Sequence, residues 1–205
     1  MQYCNSMTTD ISSLHRDPGV ESNARLTAYT GVVLVVLLAV ESATTMNLGA
    51  LLRAHVLIGL FLIPPVLLKL GTVGYRFIRY YMGEPGYRAE GPPQLSMRLL
   101  GPVIVLLTVV LFASGVELWL FGFRFGFAWL PIHHGSFVLW FFAIFVHAAF
   151  YLRKSAALAL ADGRDHLRGV LARRSLVIGS LVLGAVLVVA MLPVPTAFGS
   201  LAGGG

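Results

Sequence analysis

Five long apolar blocks separated by shorter polar segments dominate the sequence. They cover about residues 25–45, 47–81, 98–121, 130–154 and 175–192. A helix rises about 1.5 Å per residue, so each block is long enough to cross a hydrocarbon core of about 30 Å. The pattern therefore predicts an all-α integral membrane helical bundle. In its second span, the Pro64-Pro65 pair is expected to kink the helix.

The polar ends predict the domain organisation. We expect residues 1–24 to form a flexible cytoplasmic N-terminal tail, residues 25–193 a five-helix transmembrane domain, and residues 194–205 a short extracytoplasmic tail. The first segment lacks a basic start followed directly by a short apolar core, so it does not read as a signal peptide. The last segment is too short for a further domain, and we expect the chain to work with a separate partner.

The arginines and lysines predict the orientation of the spans. Twelve of them lie in the N-terminal segment, around the 82–97 loop and in the 153–174 loop, whereas Arg53 and Arg124 lie on the opposite side. Basic residues concentrate on the cytoplasmic side of membrane proteins. We therefore expect a multi-pass protein of the plasma membrane with its N-terminus in the cytoplasm and its C-terminus outside.

Composition agrees with a membrane protein and narrows the chemistry. The chain is 57% hydrophobic and 12% charged, against about 25% charged residues in soluble domains. Its net charge of +6 does not come from a basic run interleaved with aromatic residues, so nucleic-acid binding is not expected. Cys4 is the single cysteine, which excludes an internal disulfide and a cysteine-based metal cluster.

Four of the six histidines fall inside apolar spans, where imidazole is costly and indicates a function. His55 lies near the outer end of the second span, and His133 and His134 lie at the outer start of the fourth span. His147 lies deeper, toward the cytoplasm. The first three histidines are therefore expected to share a depth in the membrane.

The same interval of fourteen residues recurs on three spans. On a helix, this interval returns to within about 40° of the starting direction and advances about 21 Å. The pairs are His55 and Lys69, Gly101 and Gly115, and His133 and His147.

The recurring interval suits haem. Two haems stacked across a bilayer are separated by about four helical turns, and each iron takes an imidazole from each of two facing helices. A glycine on a neighbouring helix leaves room for the edge of the macrocycle. We therefore expect a four-helix haem-binding core plus a fifth transmembrane helix. Hydrogen bonding across helices is the alternative role for any single histidine. Zinc is disfavoured because we expect no acidic or cysteine ligand near the pair.

The stretches "RAHVLIGLFLIPPVLLKLGTVGYRF" and "LPIHHGSFVLWFFAIFVHAAFYL" resemble the membrane-embedded b-type cytochromes of the cytochrome b561 and ferric-reductase-like group. The resemblance covers about residues 50–152 and is closest to the membrane part of actinobacterial molybdopterin-dependent oxidoreductases. It implies an electron-transfer subunit, not a stand-alone enzyme. Such a subunit would carry electrons between a quinone or soluble donor and a separate redox partner, such as a molybdopterin protein. By position, the candidate iron ligands are His55, His133 or His134, and His147.

Two departures from this group bear on the cofactor count. Lys69 stands where a two-haem member would have a second histidine on the second span, and no molybdopterin domain follows the fifth span. The leading hypothesis is one haem b near the outer face, ligated by His55 and His133, with His134 as the alternative to His133. A haem-free scaffold or assembly subunit is the rival hypothesis.

The remaining polar residues leave alternatives open. Arg53 and Arg124 would pair with haem propionates or act as interfacial anchors. His147 with a neutral Lys69 would hold a second haem. Alternatively, Lys69 extends to the cytoplasmic interface, and His147 is a single ligand, a propionate partner or a quinone contact. Glu41 and Glu117, at the outer ends of the first and third spans, would relay protons from a quinol or simply be solvated.

Overall fold

The computed structural model describes residues 17–92, 94–122, 128–164 and 169–197, without the side chains of 162–164. Within these ranges the secondary structure is helical, with no strand. The helices are α1 (Pro18–Thr44), α2 (Leu48–Tyr81), α3 (Pro85–Ala89), α4 (Leu95–Phe121), α5 (Trp129–Arg164) and α6 (Val170–Met191), with a 3₁₀ turn at Thr45–Asn47 between α1 and α2. The prediction of an all-α bundle is confirmed.

Four continuous helical stretches of the described chain are long and apolar enough to cross a membrane. The first, Pro18–Tyr81, contains both α1 and α2. The chain reverses at Asn47, which leaves the helical conformation at φ −146° and accepts a hydrogen bond on its side chain from the backbone N–H of Ala50. The Asn23 side chain donates to the carbonyl of Thr72, so the two helices run antiparallel. The described residues therefore form five long helices.

Helix α1 begins at Pro18, seven residues before the predicted start of the first span. Asp17 caps it by accepting a hydrogen bond of 2.7 Å from the N–H of Gly19, and proline suits the first turn of a helix. The polar first turns pack against other helices, and Arg25 is only 6% exposed. Residues 18–24, predicted as part of a flexible tail, are thus helical, and the tail up to residue 16 lies outside the described residues.

The bundle presents apolar side chains outward and keeps several polar side chains inside. More than half of the surface is exposed for many large apolar residues, including Val36, Leu67, Leu106, Phe142 and Leu183. In contrast, Thr30, Thr108 and Ser114 are buried. Because hydrocarbon chains solvate apolar groups but not polar ones, this distribution fits a helix bundle surrounded by lipid. The chain is a multi-pass membrane protein.

Four helices surround the interior and the fifth lies outside them. Helix α1 packs against α2 and α5, and α4 packs against α5, whereas α2 and α4 meet less closely. Helix α6 packs mainly on α2. A bond from the Trp140 indole N–H to the Thr108 hydroxyl, 2.9 Å long and buried, joins α5 to α4. The architecture is a four-helix core of α1, α2, α4 and α5 with an additional helix.

Helix α6 approaches the backbone of α2 at Gly184. A Cβ atom added at Gly184 would overlap the carbonyl oxygen of Phe61. Pro65 has no N–H to donate to this carbonyl, although α2 continues through Pro64 and Pro65. The absence of a side chain at Gly184 therefore lets α6 cover a backbone oxygen that α2 leaves without its usual donor.

The polar segments at one end of the bundle lie together. Arg173, at the start of α6, donates a hydrogen bond of 3.0 Å to the Ser22 hydroxyl of α1. Gly86 of α3 approaches Asp17, and Tyr87 beside it is buried. The start of α1, the loop after α2 and the start of α6 thus share one end, as the distribution of basic residues requires.

Candidate functional site

The imidazole rings of His55 and His133 meet inside the four-helix core. His55 comes from α2 and His133 from α5, and their ring centroids are 6.3 Å apart with the planes inclined at 84°. We call the layer that contains Glu41, Thr44, His55, Ser114 and His133 the upper level. These five residues come from all four helices of the core, which positions both rings from several sides.

Two oxygen atoms of α1 hold the Nδ1 atom of His55. Nδ1 lies 2.9 Å from Oε1 of Glu41 and 2.9 Å from the hydroxyl oxygen of Thr44. The Thr44 hydroxyl donates its own hydrogen to the carbonyl of Glu41, and an ionised carboxylate only accepts. The hydrogen shared with these oxygens is therefore the Nδ1–H of His55. In a neutral ring this leaves the lone pair on Nε2.

His133 has the same tautomer for a different reason. Its Nδ1 lies 3.2 Å from the carbonyl oxygen of Leu111 and 3.1 Å from the hydroxyl of Ser114, which itself donates to the Leu111 carbonyl. A carbonyl can only accept, so Nδ1 carries the hydrogen and Nε2 the lone pair. Neither Nε2, of His55 or of His133, has a hydrogen-bond partner among the described residues.

Gly115 of α4 provides the space for the His133 ring. A Cβ atom at this position would lie 3.0 Å from Cε1 of His133. The spacing of the glycines predicts that Gly115 leaves room for the edge of a macrocycle, but its neighbour in the structure is the imidazole of His133. The glycine therefore acts on the orientation of the proposed ligand.

His134 and Arg53 lie away from this contact. The His134 side chain is exposed, and its ring centroid is 6.5 Å from that of His133. Arg53 is also exposed, and no salt bridge joins it to another described side chain. Arg124, the other candidate propionate partner, lies outside the described residues. Of the two adjacent histidines, the geometry favours His133 as the inward-facing group.

The histidine pair suits haem better than a bare metal ion. Two imidazoles that share one metal through bonds of about 2 Å have their ring centres about 6 Å apart. A bare zinc ion takes three or four protein ligands, and no group of three His, Cys, Asp or Glu side chains in the described part of the chain could hold one. Haem supplies four nitrogens itself and needs only two axial ligands.

The position of Glu41 corrects one sequence-based expectation. An acidic group does lie at the histidine pair, although none was expected there. It contacts Nδ1, the nitrogen that faces away from a metal bound through Nε2. Histidine ligands typically donate their second ring N–H to a carboxylate or carbonyl in this way. The contact between Glu41 and His55 could have been predicted from the sequence, because the two residues lie at similar distances on either side of the turn at Asn47.

A second polar layer lies further along the same helices. We call the layer of Thr27, Gly31, Lys69 and His147 the lower level. The Nζ atom of Lys69 donates a hydrogen bond of 2.7 Å to the carbonyl oxygen of Thr27, and a Cβ atom at Gly31 would lie 2.9 Å from Nζ. Lys69 therefore points across to α1 instead of extending toward the end of the bundle.

His147 lies near Lys69 and makes no hydrogen bond to it. The two side chains are close enough to interact electrostatically, and the His147 ring lies 4.9 Å from that of Tyr151. Its Nδ1 is buried and has no hydrogen-bond partner within the described residues. The hydrogen bond between Ser114 and His133 fixes how α4 and α5 are aligned, and this alignment places Gly101 of α4 near the depth of His147. Nothing lies within 4 Å of a Cβ atom added at Gly101. The lower level therefore offers one histidine, not a facing pair.

An apolar groove opens on the lipid-facing side of α1 and α5. It has a volume of about 500 Å³ and is lined by small side chains of α1 and aromatic side chains of α5. The lining includes Ala39, Ser42, Ala43, Phe137 and Phe141. Ser42 directly follows Glu41, and Phe137 lies one turn after His133. The groove is therefore close in sequence to the upper level.

Comparison of the chain with protein-family models, with curated proteins and with solved structures finds no match.

Proposed function

We propose that this chain is a membrane-embedded b-type cytochrome that holds one haem b at the upper level, with His55 and His133 as axial ligands. The observation that carries the proposal is the paired geometry of these rings. They are 6.3 Å apart on two helices, and each has Nδ1 fixed by a partner and Nε2 left for a metal. Bound haem supplies one-electron redox chemistry.

The residues of the chain would bind and orient the cofactor. Glu41 and Thr44 fix the tautomer of His55, and the Leu111 carbonyl fixes that of His133. The lower level offers one histidine, His147, and the Lys69 amino group beside it already donates to the Thr27 carbonyl, which favours one haem over two. His147 is then left for a propionate or quinone contact.

We further propose that the chain transfers electrons between a quinone pool or a soluble donor and a separate redox subunit, such as a molybdopterin protein. The resemblance to b-type cytochromes supports this role. The open apolar groove between α1 and α5 would offer the tail of a quinone donor a place on the outer surface of the bundle. The basic end of the bundle supports a cytoplasmic N-terminus in the plasma membrane.

Direct haem quantification tests the proposal. The full chain, expressed with sufficient haem and purified in detergent, should show a Soret band and about one haem b per chain. Protein that is folded by circular dichroism but has no Soret band would instead support the haem-free scaffold. About two haems per chain would require a second site at the lower level.

A further inference from the structure

The two histidines of the upper level differ in the charge of their partners. His55 donates to the Glu41 carboxylate, whereas His133 donates to the neutral Leu111 carbonyl and Ser114 hydroxyl. The Glu41 side chain is only 15% exposed, and its second oxygen, Oε2, is buried with no hydrogen-bond partner among the described residues. The closest polar partner of this carboxylate on another helix is thus His55.

A carboxylate at this position would favour the ferric form of a haem held by His55. Its negative charge attracts the additional positive charge of ferric iron, and this attraction is weakly screened in a bundle surrounded by lipid. The hydrogen bond from Nδ1–H to a carboxylate also makes the imidazole a stronger donor to the metal. Both effects stabilise the oxidised state and lower the reduction potential.

We propose that Glu41 is a positioning residue that acts through His55 to lower the reduction potential of the haem. This inference rests on the proposed function, because it requires haem between His55 and His133. Helix α1 would then tune the haem without ligating it, because α1 carries no histidine among its described residues.

The test is a redox titration of the haem-loaded full chain, followed by optical absorbance. Glu41→Gln removes the charge while keeping the size of the side chain. It should retain haem and shift the ferric–ferrous equilibrium at least about tenfold toward the ferrous form, which is about 59 mV for one electron. Glu41→Asp keeps the charge and should remain closer to the wild-type potential than Glu41→Gln does.

Glu117→Gln is the matched control. Glu117 lies on α4 and also has a buried Oε2 with no hydrogen-bond partner among the described residues, but it makes no hydrogen bond to either histidine of the pair. The reduction potential of the Glu117→Gln variant should shift by less than half as much as that of the Glu41→Gln variant. Equal shifts in the two variants would indicate a general charge effect and overturn the specific role of Glu41.

The outcomes separate this inference from the proposed function. A wild-type chain without haem overturns the proposed function. A haem-loaded wild type with an unchanged potential in Glu41→Gln overturns only the tuning role. Loss of haem from both Glu41→Gln and Glu41→Asp also overturns it, because Glu41 would then be required for binding.

Discussion

The amino group of Lys69 donates a hydrogen bond of 2.7 Å to the backbone carbonyl oxygen of Thr27, which lies 42 residues earlier in the chain. This bond joins α2 to α1 at the lower level and passes close to Gly31, where an added Cβ atom would lie 2.9 Å from Nζ. A polar group at this depth is costly unless it has a partner. The bond therefore contributes to the packing of the hairpin.

We expect Lys69→Met to destabilise the bundle without changing the haem content per chain. Methionine keeps the length of the side chain but loses the hydrogen bond, which is worth about 1 kcal/mol between membrane helices. Unfolding in a denaturing detergent measures the free energy, and haem absorbance measures the cofactor. Lys154→Met, at an exposed position, is the control. If Lys69→Met lost half of the haem, the lower level would contain a second cofactor.

The ligand assignment predicts different effects for adjacent histidines. His55→Ala and His133→Ala each remove one axial ligand and should lower the haem content at least about tenfold. His134→Ala should retain the cofactor, because the His134 side chain is exposed. The ratio of Soret to protein absorbance after purification measures the outcome. Haem retained in His133→Ala but lost in His134→Ala would contradict the assignment.

Gly115 should be sensitive to the smallest enlargement. In Gly115→Ala, the new methyl group would lie 3.0 Å from Cε1 of His133, so the ring has to shift by a few tenths of an ångström from its present orientation. We expect weaker haem retention during dilution and an altered Soret maximum. Gly101→Ala is the matched control on the same helix, because nothing lies within 4 Å of its added methyl group. Equal effects of the two substitutions would argue against a role of Gly115 in orienting His133.

Gly184→Ala tests the contact of α6 with the four-helix core. The added methyl group would overlap the Phe61 carbonyl, and relief of such overpacking typically costs about 1–3 kcal/mol. We expect a lower midpoint of thermal unfolding. Gly179→Ala provides the comparison, since nothing lies within 4 Å of its added Cβ, and it should leave the midpoint nearly unchanged. A midpoint unaffected by Gly184→Ala would mean that α6 moves easily relative to α2.

Much of the fold follows from hydropathy, because each lipid-crossing helix needs a long apolar block. The described helices cover all five predicted spans. The start of α1 differs because its first turns are polar by composition but bury their side chains against α2 and α6, as the bonds of Asn23 and Ser22 show. Hydropathy describes an average over a window and does not report such contacts.

The depth of His55 and His133 in the bundle could be predicted from the sequence, but the residues that contact the two rings could be predicted only in part. Counting along α2 and α5 places His55 and His133 at a common level, since the helix repeat is regular. The pairing of Glu41 with His55 depends on how α1 turns at Asn47, and the contact of Gly115 with His133 depends on how closely α4 approaches α5. Both are properties of helix packing, which single-helix periodicity does not determine.

The groove between α1 and α5 predicts a variant that separates quinol oxidation from haem binding. Ala43→Trp would place a large side chain among Phe137 and Phe141. We expect normal haem content and normal reduction by dithionite, but reduction by a quinol with an isoprenoid tail slowed several-fold, because the tail would lose its position beside the upper level. Leu183→Trp enlarges an exposed position on α6 and should not slow the reaction. Stopped-flow absorbance measures both rates. Equal rates of reduction by quinol in Ala43→Trp and in the wild type would exclude the groove as the quinol site. If quinol did not reduce the wild type at all, a soluble donor would be favoured.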